Sequence, residues 1–238
     1  MNTQHYNDLR EKGFLVVPRV FNVQELDQLK TAVSLVTRSH GFKRRGETYA
    51  IRNLLEACPA VRSLADSSQI RSLVSPVLGN GAFHVRSLLF DKTAEANWLV
   101  PWHQDMTICV AEKCEVAGYG PWSIKAGQWH VQPPMAVLER MLSVRVHLDP
   151  CDETNGPLRV IPGTHNQGRM NPGAIHHAEM KSGISICSVE SGGVLLMKPL
   201  LVHASSAAGK PAHRRVVHID FANCDLHGDL IWQTRGNS

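Results

Sequence analysis

The stretch Met141, Leu142, Ser143, Val144, Arg145, Val146, His147, Leu148, Asp149 decides how this chain of 238 residues is read. Leu142, Val144, Val146 and Leu148 fall on one parity, and Ser143, Arg145, His147 and Asp149 on the other. A period of two is the signature of a β-strand, whose successive side chains point to opposite faces. The apolar face needs cover, and the ionisable face needs a polar interior to look into. The expectation is that the apolar side packs beneath N-terminal helices while Arg145 and His147 line a barrel.

The segments on either side fit that picture. Before it, Tyr6 to Lys12 reads as a short helix stopped by Gly13, and Phe14 to Val17 as a strand ended by Pro18. Asn22 with Glu25 three residues on makes a capping-box start for a helix whose apolar face is Leu26, Leu29, Val33 and Val36, closed by Gly41. Arg44 to Asn53 is basic and polar and takes no assignment. Pro59 to Ala65 and Ser68 to Leu78 read as helices, ending at the Gly79, Asn80, Gly81 turn. From Phe83 the period changes to two: Phe83 to Phe90 is a strand, and another runs into Pro101, Trp102, His103, Gln104, Asp105. Beyond the opening stretch, Leu158 to Ile161 is a short strand flanked by turn residues, Val194 to His203 an apolar run, and Arg214 to Phe221 the last clear strand. Helices followed by many short strands predict a mainly β domain with N-terminal helices on one sheet. An eight-stranded jelly roll of the cupin-like kind closes its edges. No Pro/Gly/Ser-rich linker or charge run divides the chain, so residues 1–238 are read as one domain.

Composition narrows the function. The formal charge of +4 is mild and its Lys and Arg residues are scattered, which does not indicate a nucleic-acid surface; a small anionic molecule suits it better. The six cysteines form no Cys-x-x-Cys, and Met1 to Arg10 is polar without an apolar signal core, which reads as reduced thiols in the cytoplasm. The apolar run Val194 to Ala204 is interrupted by Lys198 and Pro199 and is too short to cross a membrane. The expected partner is a small-molecule substrate; nothing in the sequence sets an oligomeric state.

His103 and Asp105 share a strand parity and can close on one metal ion. A second imidazole would complete a two-His, one-carboxylate facial triad that leaves half the coordination sphere of a non-heme iron open. Such pairs are cheap: composition supplies about half a His-x-Asp by chance, and this chain holds three, at His103 with Asp105, His147 with Asp149 and His218 with Asp220. The downstream sequence separates them. Behind His103 there is room for most of a barrel, then His203 after an apolar run, then Arg214 opening a strand. The His147 pair is the weaker rival, and behind His218 the chain is nearly finished.

Four stretches carry a family likeness: WHQD at 102–105, NGPLRVIPGTH at 155–165, GGVLLMKPLLVHASS at 192–206 and RRVVHIDF at 214–221. Together they make the chain resemble the phytanoyl-CoA dioxygenase family of iron(II)/2-oxoglutarate oxygenases, from Gly13 to Phe221. The resemblance implies a double-stranded β-helix, iron(II) held by His103, Asp105 and His203, and 2-oxoglutarate clamped at its far carboxylate by Arg214 and Ser205, with O2 as the oxidant. Arg supplies a planar, permanently charged fork for a carboxylate, and Ser205 shares the parity of His203. Arg145 is a candidate for the inner carboxylate or a substrate acid. On the last strand Arg214 shares the mixed face of Val216, His218 and Asp220, whereas Arg215 shares the apolar face of Val217, Ile219 and Phe221.

Residues 107–134 form a long insert and the departure from better-known members; with it, acyl-CoA specificity does not carry over. Lys92, Arg52 and the insert residues Trp122, Lys125, Trp129, His130 and Gln132 are pocket candidates, and His165 reads as structural. The activity implied is hydroxylation of a small molecule with release of succinate and CO2. A halogenase would lack the carboxylate that Asp105 supplies. A Zn- or Mn-dependent jelly-roll isomerase or hydrolase and a binding module that has lost turnover are the alternatives; the first has no need of a second carboxylate anchor.

Overall fold

The computed structural model describes residues 3–40, 42–44 and 47–235. The chain opens with α1 (Thr3–Lys12), β1 (Phe14–Val17) and α2 (Val23–His40), followed by a hairpin of β2 (Phe42–Arg44) and β3 (Glu47–Arg52). Three helices come next, α3 (Leu54–Ala57), α4 (Pro59–Ala65) and α5 (Ser68–Leu78). After them come β4 (Phe83–Lys92), β5 (Val100–His103), β6 (Ile108–Val110), β7 (Trp122–Lys125), β8 (Gln128–Val131) and α6 (Met135–Glu139). The C-terminal half holds β9 (Met141–His147), β10 (Leu158–Val160), α7 (Pro172–Ser182), β11 (Ser185–Cys187), β12 (Val194–Met197), β13 (His203–Ser205) and β14 (Arg214–Ala222). Among the described residues no helix is long and apolar enough to cross a membrane.

Two antiparallel sheets form the jelly roll. The larger runs β1-β12-β9-β14-β4-β3-β2 and the smaller β11-β10-β13-β5. Strands β12, β9, β14 and β4 facing β11, β10, β13 and β5 are the eight core strands; β1, β3 and β2 widen the larger sheet. The outer face of that sheet carries the main core. Leu142, Val144, Val146 and Leu148 pack with Val217, Ile219 and Phe221 against Leu26, Leu29 and Val33 of α2 and Ile70 and Val74 of α5. The alternation in β9 therefore does what its pattern demands.

Local chemistry sets several boundaries. The Asn22 side chain accepts from the Glu25 N–H at 3.0 Å while the Glu25 carboxylate accepts from the Asn22 N–H at 2.8 Å, a reciprocal capping box that starts α2. The expected stop at Gly41 lies outside the described residues. Gly13, which stops α1 as expected, has a φ of 83°, and a Cβ there would collide with the His165 ring. His165 in turn donates to the Arg10 carbonyl at 3.0 Å, a structural role.

The structure departs from the sequence reading at several elements. α1 begins at Thr3 rather than Tyr6. The unassigned stretch at 44–53 supplies β3 and the end of β2. The apolar run from Val194 is two strands in different sheets, because Lys198 and Pro199 turn the chain across the barrel mouth between β12 and β13. The insert folds into its own antiparallel sheet, β6-β8-β7, whose β7–β8 hairpin turns on Ala126 and Gly127 at φ 53° and 75°. Both positive φ values match the right-handed twist that a two-residue hairpin needs.

Candidate active site

His103 at the end of β5 and His203 at the start of β13 are direct cross-strand neighbours in the smaller sheet. Their ring centroids lie 4.1 Å apart. Asp105 comes after β5 on a loop that Gln104 and the backbone pin down. The Asp105 N–H donates to the Pro199 carbonyl at 2.9 Å. The Gln104 amide donates to the carbonyls of Gly168 and Leu200 at 2.8 and 2.7 Å and accepts from the Met170 N–H at 2.9 Å. The Asp105 carboxylate thereby comes within 3.8 Å of His203 Nε2. One donor atom from each of His103, Asp105 and His203 lies within 4.8 Å of the other two, and among the described residues this is the cluster able to hold a metal ion.

Tautomer and charge suit that use. Nδ1 of His103 donates to the Pro101 carbonyl and Nδ1 of His203 to the Leu201 carbonyl, each at 2.9 Å, which leaves both Nε2 lone pairs for the ion. Burial pushes the His203 imidazole down to about 4, against the pull of Asp105, so it is the neutral, ligating form at neutral pH. Asp105 is held below the usual carboxylate range: burial opposes this, and His203 and Arg86 outweigh it.

The triad faces a cavity of about 240 Å³ whose floor is the inner face of the larger sheet. Cross-strand register arranges that floor in rows. Lys92 is opposite Arg214 at one end; Phe90, Val216 and His147 come next; Arg52, Leu88, His218 and Arg145 share a row; Arg86, Asp220 and Ser143 close the far end.

At the Arg214 end, the Gly156 carbonyl accepts from the Arg214 Nη1 and, at 3.0 Å, from the Ser205 hydroxyl. Lys92 Nζ donates to Ser205 Oγ at 2.8 Å and to the Ser206 carbonyl. A Cβ on Gly156 would meet the Ser206 carbonyl at 2.5 Å and Lys92 Nζ at 2.9 Å, so the turn demands glycine on space as well as on its φ of 73°. Burial, then the neighbouring Arg214, lowers the Lys92 ammonium to about 7. The same causes bring Arg145 to about 10, still a cation at neutral pH. The Nε atoms of Arg145 and Arg214 are buried without a hydrogen-bond partner. Unpaired N–H donors of that kind in a cavity wall await an acceptor.

Beneath the triad a closed network fixes Arg145. Its Nη1 donates to His218 Nδ1 at 2.9 Å, His218 Nε2 donates to Asp220 Oδ1 at 2.8 Å, and Asp220 also accepts from Ser143 Oγ at 2.6 Å and Arg86 Nε at 2.5 Å. Asp220 is therefore fully engaged, and the His218 pair is part of the wall.

The rival at His147 and Asp149 comes apart. β9 ends at His147, so strand parity no longer holds at Asp149, which turns to the helix side. There it pairs with Arg215 through Nε at 2.7 Å and Nη2 at 2.8 Å, and lies 3.6 Å from Lys30 of α2. This also corrects the apolar environment expected for Arg215. His147 is buried with neither ring nitrogen partnered, and burial, then Arg145 and Arg214, holds it well below the usual histidine range.

Of the pocket candidates, Arg52 and Lys125 line the cavity, and Lys92 backs it through Ser205. Trp122 and Trp129 pack edge to face at 6.2 Å, His130 contacts the Cys109 thiol at 3.3 Å, and Gln132 acts through its backbone; none lines the cavity. The lining residues Arg86, Phe90, Trp98 and Thr107 do not stand out in the sequence. Arg86 and Phe90 share the parity of Lys92 on β4, which is the signal available.

This geometry meets the comparisons with known proteins. The model of the phytanoyl-CoA dioxygenase (PhyH) family matches residues 9–216, and the chain belongs to that family. Ectoine dioxygenase of Bordetella bronchiseptica is 26% identical over 164 residues, 65% of this chain and 46% of that protein. The chain thus spans about half the length of the curated relatives it matches. Among solved structures, EctD from S. alaskensis with bound Fe superposes with a TM-score of 0.75 at 20% identity, covering 95% of this chain and 79% of that one. HygX from Streptomyces hygroscopicus, with nickel and 2-oxoglutarate bound, gives 0.66 at 18%, covering 93% and 87%. The structural likeness is one of fold.

Proposed function

We propose that residues 1–238 act as one iron(II)- and 2-oxoglutarate-dependent oxygenase domain, hydroxylating a small molecule in the cytoplasm. The observation that carries this reading is a pairing of two features in one cavity. Two imidazoles and a carboxylate converge within 4.8 Å, and the other end of the same floor holds a buried Arg214 whose Nε has no hydrogen-bond partner. His103, Asp105 and His203 would hold the iron. Arg214 and Ser205 would receive the far carboxylate of 2-oxoglutarate, and Arg145 its inner carboxylate or an acid group of the substrate.

When bound, iron and 2-oxoglutarate would let O2 act as the oxidant: the cosubstrate would supply two electrons as it is decarboxylated to succinate and CO2, one atom of O2 entering succinate and the other a C–H bond of the substrate. The chain supplies position and charge. Carbonyl bonds at Nδ1 aim both imidazoles, and the Gln104 brace keeps Asp105 facing them. The Arg145–His218–Asp220–Arg86 network holds its cation in place by direct hydrogen bonds, so little reorganisation is needed when an anion arrives. Leu88, Phe90, Leu158 and Trp98 form the apolar part of the wall and exclude water. The isomerase and hydrolase alternatives leave the buried Arg214 end without a task.

The test is anaerobic addition of iron(II) and then 2-oxoglutarate, following the weak visible charge-transfer band of the chelate. The reading expects the band in the wild type and its loss in His103→Ala, Asp105→Ala and His203→Ala. Metal analysis in which His147→Ala loses iron and His103→Ala keeps it would overturn the assignment.

A further inference from the structure

The main chain of the crossover that follows β12 braces Asp105 and Gln104, while its side chains Lys198 and Leu200 line a second cavity. The other walls of this cleft come from α1, α5, α6 and the turn Thr164–Gln167. Its volume is about 460 Å³, against about 240 Å³ for the cavity that the triad faces, and the two share no lining residue. A space of that size falls within the range of about 300–1,000 Å³ that small-molecule sites occupy.

The floor of the cleft is apolar. Leu9, Leu138 and Leu200 are each no more than 2% exposed and yet line it, with the half-buried Val77 beside them. Arg10, Lys198 and Glu139 bring two cations and one carboxylate to the lining. Arg10 and Glu139 are exposed, whereas Lys198 is half-buried. The Lys198 ammonium makes one long hydrogen bond, to the Glu139 carbonyl at 3.3 Å, and no ion pair among the described residues. Burial lowers its pKa, and the Glu139 carboxylate opposes this only in part. An ammonium carries three donors, and this one, partly stripped of water, leaves two of them over beside an apolar floor. An anionic head on an apolar chain satisfies both features at once.

We propose that this cleft binds a small carboxylic acid with an apolar tail, its carboxylate on Lys198 and Arg10 and its tail along Leu9, Val77 and Leu138. The site is separate from the catalytic one and stands whether or not the oxygenase reading does.

The probes are butanoate, hexanoate and hexanamide, titrated calorimetrically into anaerobic enzyme holding iron(II) and saturating 2-oxoglutarate, with the chelate band followed in parallel. Two further buried methylenes, at about 0.8 kcal/mol each and about 1.4 kcal/mol per decade, should make hexanoate bind about tenfold or more tightly than butanoate. It should bind about fivefold or more tightly than hexanamide, whose head is uncharged, and leave the band in place. Lys198→Met should erase the preference for hexanoate over hexanamide, and Lys198→Arg should keep it within about threefold. Val77→Trp fills the cleft and should abolish binding of both. All three variants should hold the 2-oxoglutarate constant within about threefold of the wild type. No binding of hexanoate, hexanoate that displaces 2-oxoglutarate, or a hexanoate constant unchanged in Lys198→Met or in Val77→Trp would overturn the proposal. So would a wild type that sediments as a dimer and a Val77→Trp variant that sediments as a monomer, which would give the cleft to a second copy of the chain. Failure of the oxygenase reading shows separately, as no band in the wild type; the same titration on metal-free protein, with the same variants, then still decides whether Lys198 holds a carboxylate.

Discussion

Arg214 and Arg215 are adjacent, carry the same charge and point to opposite faces of β14, so replacing each by leucine separates the inner face from the outer. Arg214 is 3% exposed. Its Nη1 is spent on the Gly156 carbonyl, and the residue lines the cavity that the triad faces. Arg214→Leu removes a charge-assisted contact worth about 1.5–3 kcal/mol, which is roughly ten- to a hundredfold or more in the 2-oxoglutarate dissociation constant at about 1.4 kcal/mol per decade. Lys92 beside it keeps the loss from being total. Arg215→Leu leaves the cavity untouched. It removes both side-chain bonds to Asp149, leaving that carboxylate with the Arg215 backbone N–H and with Lys30 at 3.6 Å. A part-buried pair of this kind should cost about 1–3 kcal/mol of stability. The assay is a titration of the chelate band with 2-oxoglutarate in both variants, beside urea denaturation of the metal-free proteins. Arg214→Leu should move the binding constant, and Arg215→Leu the denaturation midpoint with a binding constant within about threefold. The reverse ranking would show the register of β14 to be wrong by one residue.

Gln104→Ala removes three hydrogen bonds that brace the loop between two ligands, and should weaken metal binding about tenfold or more by titration against a chelator of known affinity. Lys92, lowered to about 7 by burial and then Arg214, is charged below that pH and neutral above it. Since the charged form is the one that favours a dianion, 2-oxoglutarate affinity should fall as pH rises from 7 to 9, and calorimetry in buffers of different ionisation enthalpy should show proton uptake on binding. Lys92→Met should abolish the uptake; persistence there would assign it elsewhere. His147 is neutral and buried in the folded state but protonates near 6.5 when unfolded, so below that pH the unfolded chain binds more protons and stability falls, by up to about 1.4 kcal/mol per pH unit for this one group. His147→Leu should flatten that acid limb in urea denaturation at pH 5 against pH 7, and an unchanged limb would refute the assignment.

The fold is legible wherever a local rule acts alone. Period-two alternation places β9 and β14 and tells their faces apart, and the capping box at Asn22 and Glu25 places the start of α2. The reading fails where local rules meet long-range ones. Parity predicts that Asp149 faces inward with His147, but β9 ends at His147, and at Asp149 the side chain itself takes the Arg215 N–H at 2.9 Å, so the ladder alternation no longer sets its direction. Apolarity predicts one element from Val194 to His203. The jelly roll needs a crossover there, and hydrophobicity is the same on both sides of it. Arg86 and Phe90 are readable in principle from the parity of Lys92, yet their part in the wall depends on β4 lying beside β14, a register no local pattern states.

The crossover itself ties the parts of the site together. Residues 198–202 leave the larger sheet after β12 and enter the smaller one at His203, and on the way they serve three residues of the triad region. The Pro199 carbonyl holds the Asp105 N–H, the Leu200 carbonyl holds Gln104, and the Leu201 carbonyl orients His203. One short strap, arriving from the larger sheet, thus sets the loop of the carboxylate and the tautomer of an imidazole on the neighbouring strand of the smaller sheet. The donor geometry therefore depends on how the two sheets close on each other and not on either strand alone. That is the physical reason a His-x-Asp in sequence is weak evidence for a metal site: the same spacing at His147 and at His218, without a strap, gives a buried imidazole beside an outward ion pair and a wall network.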